Sequence, residues 1–110
     1  MEKDYLTRIN ESVDKLFHVM GQWVSDEDMI RIRSAYKFAS EAHKEQLRKT
    51  GEPYIVHPIV VARIVAEEVE LGANPVIAAF LHDVVEDTPC TLEDIRNLYS
   101  DDVAFLVGVG

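Results

Sequence analysis

His82 and Asp83 stand side by side in an apolar run, Phe80-Leu81-His82-Asp83-Val84-Val85-Glu86-Asp87-Thr88. Glu86 and Asp87 follow one helical turn later. On a helix, His82 and Glu86 are four apart and share a face, about 6 Å from one another. Asp83 and Asp87 make a second such pair on the adjacent face. Neighbouring residues diverge by roughly 100°, yet both His82 and Asp83 can bend toward one ion. A neutral imidazole with a carboxylate suits a borderline or hard divalent metal. Glu86 and Asp87 would then be placed to handle a proton beside it. The plainer alternative is a salt-bridged, partly exposed helix end. An apolar helix has little reason to carry four ionisable groups within six positions, because burying them unpaired is costly. Three acids near a helix C-terminus also oppose its dipole. Such local conflict is expected at functional sites, and a metal would relieve it.

The helix that must carry this run begins near Pro75, with Asn74 as cap, and stops at Thr88-Pro89. Before it, a largely apolar helix from about Pro58 to Leu71 implies central packing. His57 directly precedes Pro58. A histidine at a helix mouth has a fixed direction and can serve as a ligand from a separate element. Upstream of it lies Arg48-Lys49-Thr50-Gly51-Glu52-Pro53-Tyr54, a loop shaped by Gly51 and Pro53. Arg48 can stack on a base or fork onto phosphate, and Lys49 supplies a point charge. The alternative for this pair is a solvated helix C-terminus, where cations suit the dipole.

The remaining elements are helical too. Tyr5, Ile9, Val13, Leu16, Phe17 and Met20 recur at helical spacing, with Gly21 as the stop and Trp23 packed under the connection. His18 beside that stripe reads as a surface histidine. Ser25 caps a second helix, with Asp28 approximating a capping-box partner. Met29, Ile32, Tyr36, Ala39, His43 and Leu47 carry that helix to about Leu47. His43 is thus on the buried stripe, as a hydrogen-bonded core residue or as part of a site. Thr91 and Ser100 open two short helices at the end of the chain. No strand alternation, repeat or linker interrupts the pattern, so the fold class is all-α, a helical bundle.

The chain has 110 residues, a formal charge of −9 and one cysteine, Cys90. That length allows one domain at most. The acidic balance argues against broad nucleic-acid binding. No run of about 18 apolar residues exists to span a membrane. Met1-Glu2-Lys3-Asp4 lacks a signal-peptide pattern, and a lone cysteine suits the cytoplasm.

The Arg48 to Tyr54 loop, His57-Pro58 and Phe80 to Thr88, with Ala42-His43 and Thr91-Leu92-Glu93-Asp94 in keeping, resemble the N-terminal hydrolase region of the RelA/SpoT alarmone enzymes, in the HD phosphohydrolase superfamily. The resemblance spans about Ile32 to Val107, and the segment before Met20 is similar to the lead-in helix of the long enzymes. It implies the all-helical HD fold, (p)ppGpp as substrate, and Mn2+-dependent removal of the 3′-diphosphate to give GDP or GTP and pyrophosphate. It makes His57, His82 and Asp83 metal ligands and Glu86 and Asp87 the acidic pair beside the metal. It makes Arg48, Lys49 and Thr50 the guanine- and phosphate-holding loop, where the family usually has Ser in place of Thr50. The family's fourth metal ligand, an aspartate on a later helix, would fall beyond Gly110, and Asp101 and Asp102 come too early for it. The expectation is a partial HD domain over residues 1–110, truncated at the C-terminus, with 1–24 as lead-in helix and linker. Its uncovered apolar faces would drive homo-oligomer formation. Whether the fragment acts alone stays open. So do two alternatives, a non-catalytic regulatory module of a (p)ppGpp synthetase and an HD phosphohydrolase of another nucleotide.

Overall fold

A computed structural model describes residues 2–44, 46–47, 51–69 and 73–109. They form six helices in chain order: α1 (Glu2–Met20), α2 (Asp26–Ala42), α3 (Val56–Val69), α4 (Ala73–Asp87), α5 (Leu92–Leu98) and α6 (Asp101–Val109). The all-α expectation holds. Among the described residues the only extended pairing is an isolated antiparallel bridge between Leu47 and Pro53.

Helix α4 is the hub. It packs on α2, α3 and α6, while α1 leans on α3, and α5 on α6. Its sequence explains this position. Val76, Ile77, Phe80, Leu81 and Val84 form one broad apolar face, and buried Ala78 and Asp83 extend the covered arc on its two sides. A helix buried over more than one face must have neighbours on several sides. The periodic stripe of α1 is buried as expected, through Ile9, Val13, Leu16, Phe17 and Met20. An aromatic chain ties α1 to α2 and α4: Phe17 meets Tyr36 edge-on at 5.9 Å, and Tyr36 meets Phe80 at 5.5 Å. Such edge contacts favour the ring quadrupoles. Trp23 is half-buried against the same core, and His18 is exposed.

Three boundaries differ from the sequence expectation. Helix α2 ends at Ala42, with His43 as its cap, about five residues early. The chain turns there because the Gln46 carbonyl accepts from the Tyr54 N–H at 3.0 Å, which closes the loop back on itself. Leu47, in phase with the stripe, is consequently 66% exposed. Helix α4 starts at Ala73, ahead of Pro75, so Asn74 is not its cap. The Asn74 carboxamide oxygen instead accepts from Arg31 Nη2 of α2 at 2.8 Å. Helix α3 starts at Val56, so Pro58 lies inside its first turn, where the missing N–H would have no helical partner anyway.

The capping signals fare well. The Ser25 hydroxyl accepts from the Asp28 N–H at 3.1 Å, although the Asp28 carboxylate turns to Arg31 and does not complete a box. Thr91 and Asp94 do form a reciprocal box at the start of α5. Thr88 ends α4 by donating its hydroxyl to the Val84 carbonyl at 2.6 Å.

Candidate metal centre

The site grows from the packing of α3 on α4. Ile55, Pro58 and Ile59 are buried, which seats the first turn of α3 in the core. His57 sits between them. Its N–H donates to the Tyr54 carbonyl at 3.0 Å, and its ring is left facing α4. On α4, burial of Phe80, Leu81 and Val84 sets the rotation of the helix. Asp83 then falls on the α3-facing side, only 8% exposed.

Three donors converge there. His82 Nδ1 lies 3.2 Å from Asp83 Oδ1. His57 Nε2 lies 3.5 Å from Asp83 Oδ2. Each oxygen of one buried carboxylate therefore meets a different imidazole, one from its own helix and one from α3. A Glu86 carboxylate oxygen joins the cluster, with donor atoms of His82, Asp83 and Glu86 all within 4.8 Å of one another. Two nitrogens and a carboxylate from separate elements, half-open to solvent, fit a divalent cation in donor type and access. The residues present are compatible with such a group.

The acidic pair splits. Glu86 stays with the metal donors, whereas Asp87 faces Tyr54. Burial of the Tyr54 ring, the charges of Asp83 and Asp87, and hydrogen bonding of its hydroxyl to both push that phenol up to about 12. Tyr54 is the residue that sequence reasoning missed as a site member. Its signal was a hydroxyl-bearing side chain three positions before a mouth histidine, which aromatic packing explains equally well. Its ring stacks on His43 at 4.7 Å and stands edge-on to His57 at 6.2 Å. His43 is fully buried, with Nδ1 held by Gln46 Oε1 at 2.8 Å. The core-histidine reading of His43 is thus supported, while its Nε2 has no partner.

Arg48, Lys49 and Thr50 lie outside the described residues. Gly51 beside them adopts φ +91°, a left-handed conformation natural to glycine. A groove between α1 and α3, bordered by Arg8, Ser12, Val60 and Arg63, lies elsewhere and contains none of the donors. We place the chemistry at the donors, because the metal-compatible group among the described residues is there and not in the groove.

A model of the HD domain family matches residues 35–109. The chain belongs to the HD domain family. The match takes in His57, the His82-Asp83 pair, Glu86 and Asp87 of this HD domain, and also His43 and Tyr54. The HD domain is an all-helical fold, in accord with the six helices described. Curated relatives narrow the kinship. The bifunctional (p)ppGpp synthase/hydrolase SpoT of Escherichia coli (strain K12) is 43% identical over 94 residues, covering 86% of this chain and 13% of that protein. A guanosine-3′,5′-bis(diphosphate) 3′-pyrophosphohydrolase of Aquifex aeolicus is 43% identical over 99 residues, covering 90% of this chain and 13% of that protein. A GTP pyrophosphokinase of Myxococcus xanthus is 41% identical over 88 residues, covering 80% of this chain and 12% of that protein. The chain thus spans about one eighth of the length of these relatives. Among the described residues, no helix is long and apolar enough to cross a membrane.

Proposed function

We propose that this HD domain holds the metal site of an enzyme that hydrolyses (p)ppGpp, removing the 3′-diphosphate to give GDP or GTP and pyrophosphate, with Mn2+ as the metal. The observation that carries this reading is the meeting of His57 Nε2 and His82 Nδ1 at the two oxygens of buried Asp83. The printed names of the relatives support the substrate class. His57, His82 and Asp83 would hold the cation. When bound, a divalent cation lowers the pKa of water and offsets charge on phosphoryl oxygens.

Hydrolysis adds a water oxygen to the phosphorus of the 3′ ester and breaks its bond to the ribose 3′ oxygen. The water must lose a proton and the ribose oxygen must gain one. Glu86 is the better placed carboxylate to take the water's proton, since its oxygen belongs to the donor cluster. Asp87 completes the acidic pair from the next position. Arg48 would stack on guanine, and Lys49 and the Thr50 hydroxyl would meet phosphate. Support for those three is the sequence pattern alone. The charge of −9 argues against a nucleic-acid partner, and the single Cys90 suits the cytoplasm. Exposed Leu98, Phe105 and Val109 favour self-association.

A second reading is a non-catalytic HD module serving a synthetase, favoured by the name of the Myxococcus xanthus relative. The full set of His57, His82, Asp83, Glu86 and Asp87 weighs against it. The test is incubation of the protein with ppGpp and MnCl2. Pyrophosphate release that EDTA abolishes is expected. Mn2+ binding without release would favour the non-catalytic module. Faster release of phosphate or pyrophosphate from another nucleotide in competition would overturn the substrate assignment.

A further inference from the structure

His43 closes α2 as its cap and is 1% exposed. Its Nδ1 lies 2.8 Å from Gln46 Oε1. A carboxamide oxygen only accepts, so Nδ1 carries the proton and Nε2 keeps a bare lone pair. That lone pair is buried and has no partner among the described residues. A buried acceptor left unpaired costs free energy that a phenyl ring of similar size would not. Capping does not explain the imidazole, since the cap contacts use only the backbone N–H. What the ring adds is its grip on Gln46. The Gln46 N–H donates to the His43 carbonyl at 2.9 Å, so His43 holds Gln46 by side chain and backbone together. The Gln46 carbonyl then accepts from the Tyr54 N–H, and the Tyr54 carbonyl accepts from the His57 N–H, each at 3.0 Å. A second route runs through the rings. His43 packs on Tyr54 with centroids 4.7 Å apart, and Tyr54 stands edge-on to His57 at 6.2 Å. Both routes end on His57. Its own contact to Asp83 Oδ2, at 3.5 Å, is too long to fix the ring by itself, and its side chain is 42% exposed.

We propose that His43 is a positioning residue of the metal site, which aims the His57 imidazole at Asp83 through Gln46 and the Tyr54 ring. This rests on the metal-site reading above. The cap of α2 thereby supports a centre built between α3 and α4, although it brings no ligand atom of its own. An imidazole binds a cation well only when its ring is held in the orientation that the cation needs. Partners outside the ligand set commonly govern affinity by supplying that restraint. The unpaired Nε2 accompanies a grip that an apolar residue could not exert.

The test is titration of two variants with MnCl2 alone, following free Mn2+ by electron paramagnetic resonance. His43→Phe keeps a ring against Tyr54 and removes the grip on Gln46. Gln46→Met removes the acceptor at a half-buried position and leaves His43 in place. Each should bind Mn2+ about 10-fold more weakly than wild type. The metal-free melting point of His43→Phe should stay close to that of wild type, because the unpaired nitrogen is lost with the tether and half-buried Gln46 can turn to water. In metal-free protein, the nuclear Overhauser effect between the Tyr54 and His57 rings should be weaker in both variants than in wild type. Equal Mn2+ affinity in the variants and wild type overturns this proposal and leaves the metal site standing. An unchanged ring-to-ring effect does the same. Weaker binding that comes with a lower metal-free melting point in both variants assigns His43 to folding and overturns it too. Should His43→Phe fail to fold, Gln46→Met decides by the same affinity and ring measurements. Absence of Mn2+ binding by the wild type overturns the metal site and this inference together.

Discussion

Asp83→Asn separates the two roles that a buried carboxylate can have. Asparagine preserves the shape and one acceptor oxygen while removing the charge. In the metal-free protein two effects oppose each other. One histidine contact at Asp83 loses its oxygen acceptor, a loss of about 1 kcal/mol for an ordinary hydrogen bond. Against this, a carboxylate that is 8% exposed is replaced by a neutral group that is cheaper to bury. The metal-free melting point should therefore move by no more than roughly 5 °C in either direction. With MnCl2 the outcomes diverge. At about 100 times its Kd, a ligand that binds only the folded state adds about 2.7 kcal/mol. For a domain of this size that raises the melting point by about 10 °C or more. Wild type should show this rise and Asp83→Asn should not. Thermal melts by far-UV circular dichroism, in EDTA and in excess MnCl2, measure both quantities. A metal-free loss above about 3 kcal/mol is the signature of breaking a structural buried pair. That result, or an undiminished Mn2+ shift in the variant, would refute the ligand role of Asp83.

Gly51→Ala should destabilise the protein by about 1–2 kcal/mol in urea unfolding, because φ +91° suits glycine and an L side chain resists it. No neighbour lies within 4 Å of the added methyl, so a much larger loss would contradict this backbone origin. Tyrosinate absorbance should reveal one phenol titrating near about 12. Because the folded pKa lies above the usual value of about 10, the stability tied to Tyr54 is complete below pH 10 and is lost as pH rises from 10 toward 12. Asp87→Asn should lower that midpoint, since Asp87 is one of the charges holding it up; an unmoved midpoint would break the link.

Periodicity disclosed what depends on one helix at a time. The α1 stripe from Ile9 to Met20 is buried, and the Thr91 cap is in place, because both are settled by residues within a turn or two. It failed where distant residues intervene. Leu47 continues the α2 rhythm, but the helix stops because Gln46 pairs with Tyr54. Asn74 looks like a cap, but its side chain answers Arg31, 43 positions away. The site divides in the same way. His82, Asp83 and Glu86 share a helix, so their spacing announced them, and His57 was marked by its place at a helix mouth. Tyr54 was not marked, because its partners come from α4 and from the cap of α2, and only folding assembles them.

The end of α4 carries Asp83, Glu86 and Asp87, with no Lys or Arg in its last turn. That arrangement opposes the helix dipole, so the turn is not there for its own electrostatics. What holds it is burial on the other faces, where Phe80, Leu81 and Val84 are 0% exposed. Apolar packing thus maintains a concentration of negative charge that a cation would neutralise. Folding and metal binding would be coupled through the same turn: the core sets the helix rotation, the rotation brings Asp83 to His57, and a bound cation would relieve the repulsion that the packing imposes. The candidate ligand on α3 is fixed just as firmly, since Ile55, Pro58 and Ile59 anchor the turn that bears His57. Both walls of the candidate centre are therefore core elements.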